Sequence, residues 1–229
     1  MTARIKEVWQ EVDTVAGYKT YIELIRPFLG NQEIVATAMR QEIERCQEVV
    51  RLAILGRKVA LVSSGDAGIY GMAGILLECL EQADRLDIEV EIIPGITAAN
   101  AAASLLGAPL MHDFAVISLS DLLTPWEVIE RRVRLAAEGD FVIALYNPKS
   151  QGRTSQIETV REILLAHRGP HTPVGIVREA LRGPETSVII STLADFSKQE
   201  IDMLSTVIIG NSQTRRIGPY LVTPRGYHL

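Results

Sequence analysis

Two cysteines, Cys46 and Cys79, are too few and too far apart in the chain for a disulfide framework. Both sit in helix-like surroundings and read as small buried thiols of a reducing compartment. The four histidines, His112, His167, His171 and His228, show no ligand spacing, so no metal site is expected. Positive charge is not in excess either. The formal net charge is −5, which argues against a sequence-independent nucleic-acid binder, although a few Arg or Lys side chains in a cleft can still receive an anionic small substrate. No stretch approaches the roughly 18 consecutive apolar residues of a membrane span. The opening MTARIKEVWQEV is charged and amphipathic, without the apolar core of a signal segment. No nucleic acid or membrane is expected as a partner, and the cytoplasm is the default location. Low complexity and short-period repeats are also missing.

What is present is an ordinary globular balance. Hydrophobic residues make up 47% and charged residues 22% of a 229-residue chain, enough for one large α/β domain or two small ones. Short β-branched runs alternate with longer helical ones. Residues 58–63 read as a buried strand, followed by a glycine-rich loop and a helix to about residue 83. Residues 88–93 read as the next strand, closed by Pro94-Gly95. Thr97 then caps a helix over 98–106, stopped by Gly107. Further on, 114–118 and 141–145 read as strands and 125–137 and 155–166 as helices. Strand-like runs follow at 174–177, 187–191, 206–209 and 220–223. Long helices are missing between these later runs, which predicts a mixed sheet with antiparallel members. The domain boundary is expected near Ala108-Pro109 to Asp113, giving domains 1–110 and 111–229.

Three stretches lie just beyond the carboxyl ends of expected strands, where open α/β sheets hold their ligands. The first is SSGDAGIYGMAG, 63–74, whose glycines let the backbone turn tightly and approach a ligand. It is neither the GxGxxG dinucleotide fingerprint nor a Walker loop. On composition alone it serves a plain turn or a ligand loop equally well. The second is IIPGITAANAAASLLGAPL, 92–110, where Thr97 precedes a helix with little side-chain bulk. That helix suits a flat ligand or, taken alone, tight packing on a sheet. The third is ALYNPKSQGRTSQ, 144–156, in which Lys149 and Arg153 follow an Asn-Pro turn. They make either a solvated basic loop or a wall facing an acidic substrate.

In this order, and over essentially the whole chain, these segments resemble the tetrapyrrole methylases, the class III S-adenosylmethionine-dependent methyltransferases. The resemblance also rests on VAGYKTYIELI (15–25), HDFAVISLSDLLTPWEVIERR (112–132) and VGIVREALRGPETSVIISTL (174–193). It implies two α/β domains with mixed sheets, an active-site trough between them, and a homodimer. S-adenosyl-L-methionine would be the cofactor, leaving as S-adenosyl-L-homocysteine. Its implied contacts are Gly65, Asp66, Ala67, Ile69, Tyr70, Thr97, Ala98, Tyr146, Asn147, Val177, Arg178, Ile209 and Gly210. The runs GDAGIYG and SLSDLLTPW mark a subgroup and imply methylation at C17 of precorrin-3B, or of its cobalt-containing counterpart cobalt-precorrin-3. Contraction of the ring would accompany the transfer, in cobalamin biosynthesis. Ring contraction needs proton movement, for which Tyr18, Lys19, Arg40 and Glu42 are candidates, with surface roles as the alternative. Lys19, Lys149 and Arg153 are the candidates to meet substrate carboxylates.

One departure stands out. Family members usually open with a hydrophobic strand and a Gly-x-Gly-Pro-Gly loop, then a helix near a Leu-Thr pair; here Met1-Thr2 stands where that pair would be. The first strand of the N-terminal domain is therefore expected to be missing. Loss of an interior strand would orphan backbone groups at about 1–3 kcal/mol each. Three expectations follow: a true start upstream of Met1, repair of the sheet by another segment or chain, or an impaired, non-catalytic binder of cofactor or tetrapyrrole.

Overall fold

The computed structural model describes residues 2–38 and 40–227; Met1 and His228, named above, lie outside them. By packing, the described chain forms two compact α/β units, one ending at Thr97 and the other beginning at Ala98. This division by packing comes one helix earlier in the chain than the boundary expected near residue 110.

In the first unit, helix α1 (Ala3–Glu11) is capped by Thr2, whose hydroxyl accepts from the Ile5 N–H, and it buries Trp9. Strand β1 (Thr14–Tyr18) leads into helix α2 (Lys19–Ile25); β2 (Glu33–Thr37), α3 (Glu42–Ile54), β3 (Val59–Val62) and α4 (Ala73–Gln82) follow. The sheet is parallel, in order β2-β1-β3. Trp9, Val15 and Ile22 form one core on it. On α3, Cys46 and Val50 recur at helical spacing and meet Cys79 and Leu80 of α4 in a second core. Burial in this core, with the neighbouring Cys79 thiol adding to it, pushes Cys46 up to about 12.

Residues 88–93 are not a strand. Their alternation is real, since Ile88 and Val90 pack against the α3–α4 core while Glu89 and Glu91 face solvent. Among the described residues no strand supplies them with ladder hydrogen bonds, however, and alternation without a partner gives extended chain only. Glu91 is instead gripped by Arg4 of α1 at 2.7 and 2.8 Å.

The second unit opens with α5 (Ala98–Leu106) and the short β4 (Gly107–Ala108). Then come β5 (Phe114–Ser118), α6 (Trp126–Glu138), β6 (Val142–Tyr146), α7 (Gln156–Leu165), β7 (Pro173–Arg178), β8 (Ser187–Thr192), β9 (Ser205–Ile209), β10 (Arg215–Ile217) and β11 (Tyr220–Val222). Five strands form one sheet in order β5-β6-β9-β7-β8. β5 and β6 are parallel, and every other adjacent pair is antiparallel, which is the mixed sheet expected. Helices α6 and α7 cover one face through Ile129, Val133, Val160 and Leu164. Helix α5 covers the other through Ala99, Ala102, Ala103 and Leu106. The alanine run is thus a helix-on-sheet packing device. Gly175 completes it, because a Cβ there would overlap the Leu106 side chain. β10 and β11 form a hairpin, with β11 also beside β4. Among the described residues no helix is long and apolar enough to cross a membrane.

Candidate functional site

All three strands of the first unit run the same way, so Tyr18, Thr37 and Val62 end at one edge of its sheet. The loops leaving that edge carry Tyr18 and Lys19, Arg40 and Glu42, and the glycine-rich segment from Gly65. In the second unit β5, β6 and β7 likewise end at one edge, at Ser118, Tyr146 and Arg178, because β7 is antiparallel to β9 and β9 to β6. Carboxyl edges are where α/β sheets bind ligands.

Backbone strain collects on the same loops. Among the described residues, seven non-glycine residues have positive φ. Asp84 and Asp140 simply end α4 and α6. The other five are Arg40 (65°), Tyr70 (53°), Asn147 (48°), Glu179 (49°) and Leu181 (58°), all on loops following the carboxyl ends of strands. Such conformations cost of order 1–3 kcal/mol each and persist where the surroundings enforce them, typically around ligand sites.

The enforcing contacts are visible in the glycine-rich loop. Gly65 is left-handed, with φ 77°. One Asp66 carboxylate oxygen accepts from the Gly68 N–H at 2.8 Å, and the other accepts from the Gly95 N–H at 2.8 Å. Asp66 therefore staples its own loop to the Pro94-Gly95 turn. A Cβ on Gly95 would overlap the Gly65 carbonyl oxygen, so glycine is required for the two backbones to touch. The Ser63 hydroxyl accepts from the Met72 N–H at 3.0 Å and closes the loop. Both oxygens of Asp66 are engaged in this way, while Ile69 and Tyr70 remain exposed. Thr97, just beyond the turn, is buried.

At the edge of the second sheet the Tyr146 hydroxyl accepts from the Ala99 N–H at 2.7 Å, satisfying an N–H in the first turn of α5. Asn147 is held from two sides. Its amide donates to the Ser118 hydroxyl at 3.0 Å, and its carbonyl accepts from Arg153 at 2.6 Å. Arg153 is 8% exposed and turned inward, with Asp121 at 3.7 Å. As a brace for Asn147 it does not present its guanidinium to solvent as a substrate wall would. Lys149 stays half-exposed on the same loop. Burial works against ionisation of Glu158, but hydrogen bonds from Ser197 and Arg161, with the charges of Arg161 and Lys149, hold its carboxyl below the usual range.

Four sequence-derived residues are placed differently from the rest. The Val177 side chain is buried against α5. Arg178 is neutralised by Asp202 at 2.7 Å, Glu179 at 3.2 Å and Glu185 at 3.8 Å. Ile209 and Gly210 lie at the opposite edge of the sheet, since Ile209 pairs with Ile143 and Val174 at the starts of β6 and β7. The reason is direction: β9 is antiparallel to its neighbours, so its amino end, Ser205, reaches the edge shared by Tyr146 and Arg178. The Gly210 carbonyl accepts from Arg168 at 2.6 Å, and a Cβ at this position would overlap the Thr214 side chain. Sequence reasoning missed Arg168, a buried cation that also donates to the Phe141 carbonyl at 2.5 Å. Its position between a helix end and Gly-Pro reads as a mere stop, and burial lowers its pKa. Tyr18 stacks edge-on to Tyr21 at 5.2 Å, Lys19 and Arg40 are exposed, and Glu42 lies in the first turn of α3. An acid there also stabilises the helix start.

Residues 1–197 match the family model of the Tetrapyrrole (Corrin/Porphyrin) Methylases. The chain is 52% identical to the cobalt-factor III methyltransferase of Priestia megaterium, over 99% of its own length but only 42% of that protein's. It is 51% identical to the probable cobalt-factor III C(17)-methyltransferase of Salmonella typhimurium, over 100% of its own length and 94% of that protein's. Among solved structures it is similar to the methyltransferase CobJ, with a TM-score of 0.92 and 39% identity, covering 98% of this chain and 93% of that one.

Proposed function

The chain belongs to the tetrapyrrole (corrin/porphyrin) methylases, and from that premise we propose that it methylates C17 of a corrin precursor, using S-adenosylmethionine, in cobalamin biosynthesis. The substrate is the cobalt-containing macrocycle or its metal-free counterpart, precorrin-3B, and methylation is accompanied by ring contraction. The similarity to two cobalt-factor III methyltransferases favours the cobalt form. Cytoplasmic location fits two reduced, buried thiols. The homodimer rests on the family resemblance.

The observation that carries the reading is the strained, cross-braced backbone at the carboxyl edges, above all the loop stapled by Asp66. That loop fits the cofactor. A left-handed Gly65 opens main-chain groups to the polar ends of an amino acid and a ribose, and exposed Ile69 and Tyr70 offer apolar surface to adenine. When bound, the cofactor supplies an electrophilic methyl group on a positive sulfur. In the first unit the backbone of Gly65, Ala67 and Thr97 would contact it, and in the second the family resemblance assigns it the Ala98 start of α5, Tyr146 and Asn147. Asp66 sets the loop's shape, and Val177 and Arg178 form scaffold behind the site. Methyl transfer is an in-line displacement, so alignment and exclusion of water matter more than a strong base. Tyr18, Lys19, Arg40 and Glu42 are the groups available to move protons during contraction. Lys149 is available to meet a substrate carboxylate, with Arg153 shaping its loop.

Calorimetry with S-adenosylhomocysteine followed by single-turnover assay on the metal-free and cobalt-containing substrates tests this. Binding without methyl transfer would support a non-catalytic binder instead.

A further inference from the structure

The loop after β5 has an unusual economy. Leu119 is fully buried, and its N–H donates to the Tyr146 carbonyl at 2.9 Å. Asp121 is held by the Gln156 amide at 3.1 Å and lies 3.7 Å from Arg153, the same guanidinium that braces Asn147. At its far end Trp126 begins α6 and packs into the core. Between these anchors Leu122 and Leu123 stand 67% and 92% exposed. Single exposed leucines are commonplace. Two in succession, held out in water by a tethered loop, leave apolar surface uncovered at a site the fold has otherwise fixed.

We propose that Leu122 and Leu123 are substrate-contacting residues that select the flat apolar face of the tetrapyrrole macrocycle. This rests on the functional reading above and deepens it. Continuity with the candidate site identifies the occupant: Asp121 and Asn147 share Arg153, and Ser118, which starts the loop, also receives the Asn147 amide. On loops of the same sheet edge, Leu181, Met203 and Leu204 are exposed as well. Half-exposed Lys149 offers a cation to the carboxylates at the macrocycle's rim. An apolar floor with a cation beside it suits a ring system that is apolar on its face and acidic at its edge.

The test is the double substitution Leu122→Ser with Leu123→Ser, compared with Leu122→Met with Leu123→Met. Both side chains point to solvent, so melting temperature should not move. Cobalt-containing tetrapyrrole is titrated by absorbance and S-adenosylhomocysteine by calorimetry. The serine pair should raise the tetrapyrrole Kd at least tenfold with S-adenosylhomocysteine affinity unchanged, and the methionine pair should restore most of it. Equal tetrapyrrole affinity in wild type and serine variant would overturn the inference, as would a changed sedimentation mass in place of changed affinity, which would mark a self-association surface. Wild-type protein that binds S-adenosylhomocysteine but no tetrapyrrole would overturn the substrate reading itself and the inference with it.

Discussion

The carboxylate of Asp66 accepts a hydrogen bond from the Gly95 N–H at 2.8 Å, joining two loops 29 residues apart in the chain. Its second oxygen accepts from Gly68 in its own loop. An acidic residue in a glycine-rich loop suggests direct contact with a ligand; here both of its oxygens are engaged in fixing the backbone of the loop. Asp66→Asn exchanges one accepting oxygen for a donating amide facing an N–H. Hydrogen bonds to charged groups are worth about 1.5–3 kcal/mol, so the S-adenosylhomocysteine Kd should rise about tenfold or more, as read by calorimetry.

Gly95 and Gly74 make a paired prediction. Gly95→Ala drives a Cβ into the Gly65 carbonyl and should abolish measurable S-adenosylhomocysteine binding. Gly74 lies within α4 with open space where a Cβ would go. Gly74→Ala should leave binding intact and raise stability by about 0.4–1 kcal/mol in denaturant titration, through helix propensity and unfolded-chain entropy.

Tyr146→Phe removes the acceptor for the Ala99 N–H at the start of α5. An orphaned buried N–H costs about 1–3 kcal/mol. Thermal denaturation should show a lowered melting temperature, and cofactor affinity should fall with it, because the same helix start carries Ala98.

Much of this was legible in the sequence, and the gaps have physical causes. Strands β3, β5, β6 and β7 and helices α4 to α7 follow from hydrophobic period and from Gly and Pro punctuation. The extended segment 88–93 has a strand's period but no partner, and a partner is a tertiary fact. Ile209 and Gly210 come from the family resemblance alone, and the direction of β9, which sets them at the edge opposite Tyr146 and Arg178, is not written in its residues. Arg153 sits among Gln, Gly and Thr in a sequence that looks solvated, yet the strained Asn147 carbonyl draws it inward. Conversely, the candidates Gly65, Asp66, Thr97, Tyr146 and Asn147 all fall on the braced segments.

Acid should weaken the scaffold behind Arg178. Burial works against ionisation of Asp202, but hydrogen bonds from Arg178, Ser205 and the Leu204 N–H outweigh it and hold the carboxyl below the usual aspartate range. A depressed folded pKa contributes stability above the unfolded value, near 3.9, and that contribution is lost as pH falls through the folded value. Asp202→Asn should therefore melt below wild type at pH 7, and the gap should narrow below about pH 4.

The most direct test of the account is a single turnover with S-adenosylmethionine carrying a ¹³C-labelled methyl group and the cobalt-containing tetrapyrrole, read by NMR and mass spectrometry. The account predicts one label per macrocycle, at C17 of a contracted ring, with one equivalent of S-adenosylhomocysteine released. Cofactor bound without label transfer, or label at another carbon, would contradict it.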